Sequence, residues 1–196
     1  MKHFSNSLGV KILCLSVVLP LIACGCSSSI MTKTERLSAP QSGQAIVNFV
    51  RPSMVGGAIS FGLWDGDSFV GILMPGTCIQ YQTTPGEHYF MARAENWSCV
   101  KANLAPDKQY VIKANPVLGV WKARVAFDPI VKADYDKGQL KDAQKWITAQ
   151  TVMPDPAKRD EYVQPRKDDV ARAMNLFKSG GGKFEVMSAD DFLPQQ

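Results

Sequence analysis

Apolar and polar positions divide the chain into four zones. Ile12 to Ala23 is a short, nearly continuous apolar run, preceded by Lys2 and Lys11 with no acidic residue. Gly25 to Gln44 is rich in Ser, Thr, Gln and Gly and has too few large apolar residues to bury a core of its own. From Gln44 to Phe127, β-branched and aromatic runs alternate with small or polar residues and are broken by turn residues. This pattern predicts strands over Gln44–Val50, Gly57–Trp64, Asp67–Leu73, Thr77–Thr83, Glu87–Ala94, Trp97–Leu104, Lys108–Ala114 and Gly119–Phe127. Asp65-Gly66 between two of them predicts a type I′ hairpin turn, and Pro85-Gly86 a type II turn. Beyond Phe127 the period changes. Leu140, Ala143, Ile147 and Gln150 form a helical stripe within residues 138–152, and Met153-Pro154-Asp155-Pro156 breaks it. Pro165 opens a helix to about Lys178, whose face is Val170, Ala173, Met174 and Phe177, and Gly180-Gly181-Gly182 stops it. Lys183–Met187 reads as a short strand, with Ser188 capping a last turn that holds Asp190 and Asp191.

These zones predict a mainly β chain: an antiparallel β-sandwich of the Ig-like or PEGA-like kind over residues 44–128, followed by a helical C-terminal extension over 129–196. The apolar run is too short to span a bilayer, which takes about 20 apolar residues. With its basic flank it reads as a signal segment over residues 1–23. The four residues at its end and just beyond, Leu21-Ile22-Ala23-Cys24, resemble the lipobox of bacterial lipoproteins. That resemblance implies cleavage before Cys24, diacylglycerol on its sulfur and three acyl chains, palmitate among them, so that detachment is negligible although one chain alone would bind only marginally. Residue 25 is Gly and not Asp, which by the sorting rule of those lipoproteins implies the outer membrane, facing the periplasm. Residues 24–43 then serve as a flexible tether with an average span of roughly 25 Å.

Charge narrows the partners. The formal charge of +4 falls to +2 when Lys2 and Lys11 leave with the signal, too balanced for an electrostatic nucleic-acid binder. Of five cysteines, Cys14 leaves with the signal and Cys24 is lipidated, so Cys26, Cys78 and Cys99 remain. In an oxidising compartment a Cys78–Cys99 disulfide is the expectation, contributing about 3 kcal/mol on a chain-entropy model. The alternative is two buried thiols acting as small hydrophobes.

A set of turn motifs runs through the strand zone: Val50-Arg51-Pro52, Trp64-Asp65-Gly66-Asp67 followed by Val70-Gly71-Ile72-Leu73, Pro85-Gly86-Glu87-His88, and Pro106-Asp107-Lys108-Gln109-Tyr110-Val111. In this order they resemble a bacterial lipoprotein domain catalogued as domain of unknown function 2846. The likeness covers about 85 residues, less than half the chain, and it implies a fold and no catalytic residues.

No reaction chemistry stands out. Asp134-Tyr135-Asp136-Lys137-Gly138 resembles the start of a calcium loop, but its glycine is one position early and Lys145 stands where the bidentate glutamate belongs. His88 is the single histidine after the signal, too few for an ordinary zinc site, and no nucleophile elbow accompanies it. Asp168-Asp169 and Asp190-Asp191 suit helix and turn capping better than paired acid–base work, and the glycine triplet lacks the Lys-Ser or Lys-Thr of a phosphate loop. Metal ions and cofactors are therefore not expected. Trp64 and Trp97, both next to turns, are the candidates for an exposed aromatic binding surface. The sequence thus points to a non-enzymatic, lipid-anchored binding or scaffold protein of the cell envelope whose partner is another envelope protein. The alternative is a carbohydrate or peptidoglycan binder using exposed Trp and Tyr.

Overall fold

A computed structural model describes residues 30–118 and 123–194. The signal segment, Cys24, Cys26 and Trp121 lie outside the described residues, as does the start of the expected tether. The eleven strands described are β1 Met31–Lys33, β2 Ala45–Val50, β3 Phe61–Asp65, β4 Ser68–Leu73, β5 Thr77–Thr83, β6 Gly86–Arg93, β7 Trp97–Leu104, β8 Gln109–Leu118, β9 Ala123–Pro129, β10 Gln150–Pro154 and β11 Glu185–Met187. They form one six-stranded sheet, β1-β10-β5-β2-β8-β9, and one five-stranded sheet, β11-β7-β6-β3-β4. The fold is mainly β, and both sheets contribute to one buried core. Val47, Phe49, Tyr110 and Ile112 come from the first sheet, and Phe61, Leu63, Phe90 and Val100 from the second. Phe49 joins the two sheets with its ring edge-on to Phe90 at 5.3 Å and stacked on Phe127 at 5.8 Å.

The pairing is not purely antiparallel. β2 runs parallel to β8, β10 to β5 and β11 to β7. The hairpin after β3 also differs from the expected turn. Asp65 pairs with Ser68, so the two loop residues are Gly66 and Asp67, and of these only Gly66 has positive φ, at 58°. That is the type II′ pattern, in which glycine takes the first central position.

The outer faces explain the rest of the chain. Every residue of β2 is buried, so both faces of the first sheet need cover. On its outer face Val50, Cys78 and Val111 pack beneath Tyr135, Ala143 and Ile147. Those covering residues lie along a segment that begins at α1 Lys132–Asp134, kinks at Gly138, whose φ is 98°, and continues as α2 Leu140–Trp146, with Ile147 as its C-cap. On the outer face of the second sheet, Trp64, Phe69, Met91 and Cys99 pack beneath Val170, Ala173 and Phe177 of α4 Lys167–Lys178. The face expected for α4 is the face it buries, and each such large side chain contributes about 1.5–3 kcal/mol. Helix α3, Pro156–Val163, adds Tyr162, whose ring lies 4.9 Å from Phe69. Its hydroxyl stands 2.7 Å from where a Cβ on Gly62 would be, so a larger residue there would have to displace the Tyr162 ring.

Two expectations change here. The α2 stripe does not continue to Val152, because β10 begins at Gln150 and its Thr151 and Val152 complete the first sheet. With β10 in one sheet and β11 in the other, the C-terminal segment is woven into both. The expected tether also shortens. Beyond β1, residues 34–44 are held against the first sheet by an amide ladder. Gln80 donates to the Asn48 side chain at 2.9 Å and to the Leu37 carbonyl at 3.2 Å, and accepts from the Leu37 amide at 2.6 Å. Gln82 accepts from the Gln41 amide, and Gln109 donates to the Ser38 carbonyl, each at 2.9 Å. Asn48 is fully buried and donates to the Tyr110 carbonyl at 3.0 Å. Replacing Asn48 with Ala leaves buried amide partners unpaired and should cost about 1–3 kcal/mol. Denaturant midpoints measure the loss, and faster amide exchange at Leu37 and Gln41 should accompany it.

Candidate functional site

Two of the turn motifs meet in space. Asp65 ends β3 and His88 lies early in β6, which pairs with β3. His88 Nδ1 lies 2.9 and 3.1 Å from the Asp65 carboxylate oxygens, and its Nε2 lies 2.9 Å from the Thr84 carbonyl. The ring stacks on Phe90 with centroids 5.4 Å apart. A carboxylate and a carbonyl are both acceptors, so each ring nitrogen must donate, and only the imidazolium does so at both. Burial alone would lower the His88 pKa, but the hydrogen bond to Asp65, the Asp65 charge and the Thr84 carbonyl outweigh it and raise it. Tyr81 reaches the same carboxylate from the other sheet. Its phenol is pushed up to about 12, first by burial and then by the charge of Asp65.

Chemically this cluster is a clamp. With both nitrogens committed, His88 offers no lone pair to a nucleophile, and its partners are Asp65 and a backbone carbonyl. It ties the first hairpin of the second sheet to the turn after β5, which belongs to the first.

Arg51 plays a corresponding part at the opposite end. It is fully buried and donates to the carbonyls of Val55 at 3.2 Å, Gly56 at 2.9 Å and Ile59. Its guanidinium lies 4.3 Å from the Phe61 ring centre. Among the described residues it has no carboxylate partner, and burial lowers its pKa. Carbonyl dipoles and the ring face balance the charge, and the loop between β2 and β3 wraps around it. That loop presents Met54 and Val55 to solvent, 70% and 57% exposed, with Met54 against Gly76 beside the exposed Met74.

The expected Cys78–Cys99 disulfide does not form. Both thiols are free and buried. Cys78 faces outward under Ala143 and Ile147, whereas Cys99 faces outward under α4, so the whole core separates them. Sheets packed face to face lie about 10 Å apart, beyond the 4.4–6.8 Å between Cα atoms that a disulfide spans. Burial pushes each thiol up to about 12, which makes both inert.

Trp64 does not contribute to an exposed aromatic surface. Trp64 is 1% exposed, sealed beneath α3 and α4 with Phe69 at 5.1 Å. Trp97 is half-buried, 5.8 Å from the Arg93 guanidinium. Asp134, where the calcium-like stretch begins, accepts from the Val131 amide at 3.1 Å as a helix cap, and Tyr135 is buried. Asp169 pairs with Arg93 at 2.8 Å, and Asp191 accepts from the Ser188 amide and hydroxyl at 2.7 and 2.8 Å. Among the described residues no group of three metal-donor side chains gathers, and no helix is long and apolar enough to cross a membrane. Comparisons with protein-family models, with curated proteins and with solved structures found no match to this chain.

Two tests follow from this geometry. A thiol reagent should label neither Cys78 nor Cys99 in the folded chain and both in denaturant without reductant, as read by mass spectrometry. Because the His88 pKa is raised on folding, its contribution to stability is fully present below about pH 6.5 and is lost as pH rises through the higher folded-state value. Melting midpoints of the native chain should therefore decline across that interval, and His88→Ala should lower the midpoint at pH 6 and flatten the decline.

Proposed function

We propose that this chain is a non-enzymatic, lipid-anchored binding or scaffold protein of the cell envelope, held through Cys24 at the outer membrane and facing the periplasm. The observation that carries the reading is Leu21-Ile22-Ala23-Cys24 closing a short apolar run behind Lys2 and Lys11. Distance along the chain supports it. Met31, where the first strand begins, is seven positions after Cys24. At 3.3–3.6 Å per residue this holds the folded body within about 25 Å of an anchoring bilayer. Met31 pairs with Pro154 near the Thr83 end of β5, so the chain enters at the His88 end. The Arg51 end then faces away from the anchor, with Met54, Val55 and Met74 available to another envelope protein.

The reading also takes the body as an Ig-like or PEGA-like sandwich resembling domain of unknown function 2846. The motif order supports this, and so does Tyr110. Its hydroxyl accepts from the Ala105 amide at 2.8 Å where the chain crosses from β7 to β8, like the tyrosine corner of immunoglobulin domains. The His88 clamp is consistent with a body that has no catalytic histidine. A peptidoglycan-binding role through Trp64 is set aside because that side chain is covered.

Expression with labelled palmitate tests the reading. The native chain should take up label and sediment with outer membranes, while Cys24→Ser should lose the label and the processing step. A Cys24→Ser chain that is processed and fractionates like the native one would overturn it.

A further inference from the structure

The 34–44 segment, α2 and the C-terminal tail leave a cleft of about 520 Å³ between them. Arg36 and Ser38 stand on one wall and Lys108, at the turn into β8, on another. Ile147, Phe192 and Leu193 supply apolar surface. Lys108 is seated 4.3 Å from the Phe192 ring centre, and Leu193 is pinned by its amide donating to the Gln109 carbonyl at 2.7 Å. Among the described residues no carboxylate lines the cleft, and neither Arg36 nor Lys108 has a carboxylate partner. Two acids next to the lining residues are engaged elsewhere. Asp107 accepts from the Gly43 amide at 2.7 Å, and Asp191 serves Lys132 and Ser188.

We propose that this cleft binds a phosphate-bearing ligand, its phosphate between Arg36 and Lys108 and its apolar part against Phe192 and Leu193. Charge selects phosphate over carboxylate. Two cations without a carboxylate partner among the described residues face the same space, and a phosphomonoester carries about −1.5 to −2 at neutral pH, whereas a carboxylate would leave one cation unbalanced. The Arg36 fork suits two phosphate oxygens, with Lys108 as a point charge on the third and the Ser38 hydroxyl as a neutral donor. The cleft lies near the end of the sheet where Ala45 pairs with Thr83 and Ile46 with Gln109, which is the end at which the N-terminal segment enters. A phospholipid headgroup is therefore one source of the phosphate, an assignment that rests on the lipid-anchor reading, and a soluble phosphoester is the other.

Calorimetric titration of the full chain in a phosphate-free detergent tests the site, with inorganic phosphate, phenyl phosphate, dihexanoyl phosphatidic acid and acetate as probes. The phosphate probes should bind, and Arg36→Gln and Lys108→Gln should each weaken them at least tenfold without moving the melting midpoint. Dihexanoyl phosphatidic acid binding more tightly than both inorganic phosphate and phenyl phosphate assigns the lipid source, phenyl phosphate binding at least as tightly as dihexanoyl phosphatidic acid assigns a soluble phosphoester, and inorganic phosphate binding as tightly as either overturns the apolar part of the site. Binding that survives both substitutions, acetate binding as tightly as phosphate, or no binding by any phosphate probe would overturn the proposal. Cys24→Ser should keep the phosphate binding, so a failed anchor and a failed cleft give different results.

Discussion

The fold depends on the need to cover both sides of β2. All six of its residues are buried, with Val47 and Phe49 in the core between the sheets and Ile46, Asn48 and Val50 on the far side. A strand in that position cannot belong to a sheet with one wet face. Three coverings follow: α2 over Val50 and Val111, the 34–44 segment over Asn48, and the second sheet over Phe49. The second sheet repeats the requirement with Trp64, Met91 and Cys99 outward, and α4 meets it. The helices are thus a condition for the sheets to exist in water.

Within that frame, polar residues do the positioning. Asn48 and Gln80 fix where an otherwise polar segment lies, with both the Asn48 carbonyl oxygen and its amide nitrogen hydrogen-bonded. His88 with Asp65 closes one end of the structure and Arg51 the other. Each uses charge in a half-dry setting, where partners placed by backbone geometry make it an asset rather than a penalty.

Much of the strand zone was legible because period-two alternation and turn residues are local signals. β2 and β4 to β9 fall close to where the alternation puts them, and α4 buries the face its spacing announces. The misses share a cause, which is dependence on distant partners. β1 and β10 are short and polar at several positions, and they are strands because they complete an edge. Asp155-Pro156 reads as a break, yet the same two residues start α3, with the Asp155 carboxylate accepting from the Ala157 amide at 3.0 Å. The D-G and P-G-x-H motifs were each visible, but nothing local says that Asp65 and His88 face one another. The cysteines show the limit most clearly. Separation along the chain permits a bridge, and only the assignment of each to a particular outer face forbids it. A cleft made from residues 36–38, 108 and 192–193 has no sequence signature at all.

The parallel ladders carry a consequence for how the chain comes to be folded. β10 and β11 are the late-sequence members of their sheets, pairing with β5 and β7, and Leu193 docks on Gln109 from the far end of the described chain. Neither sheet is complete while its last partner is still unsynthesised, and long loops must close before those pairings stabilise anything. A polypeptide built this way stays open until nearly all of it is available.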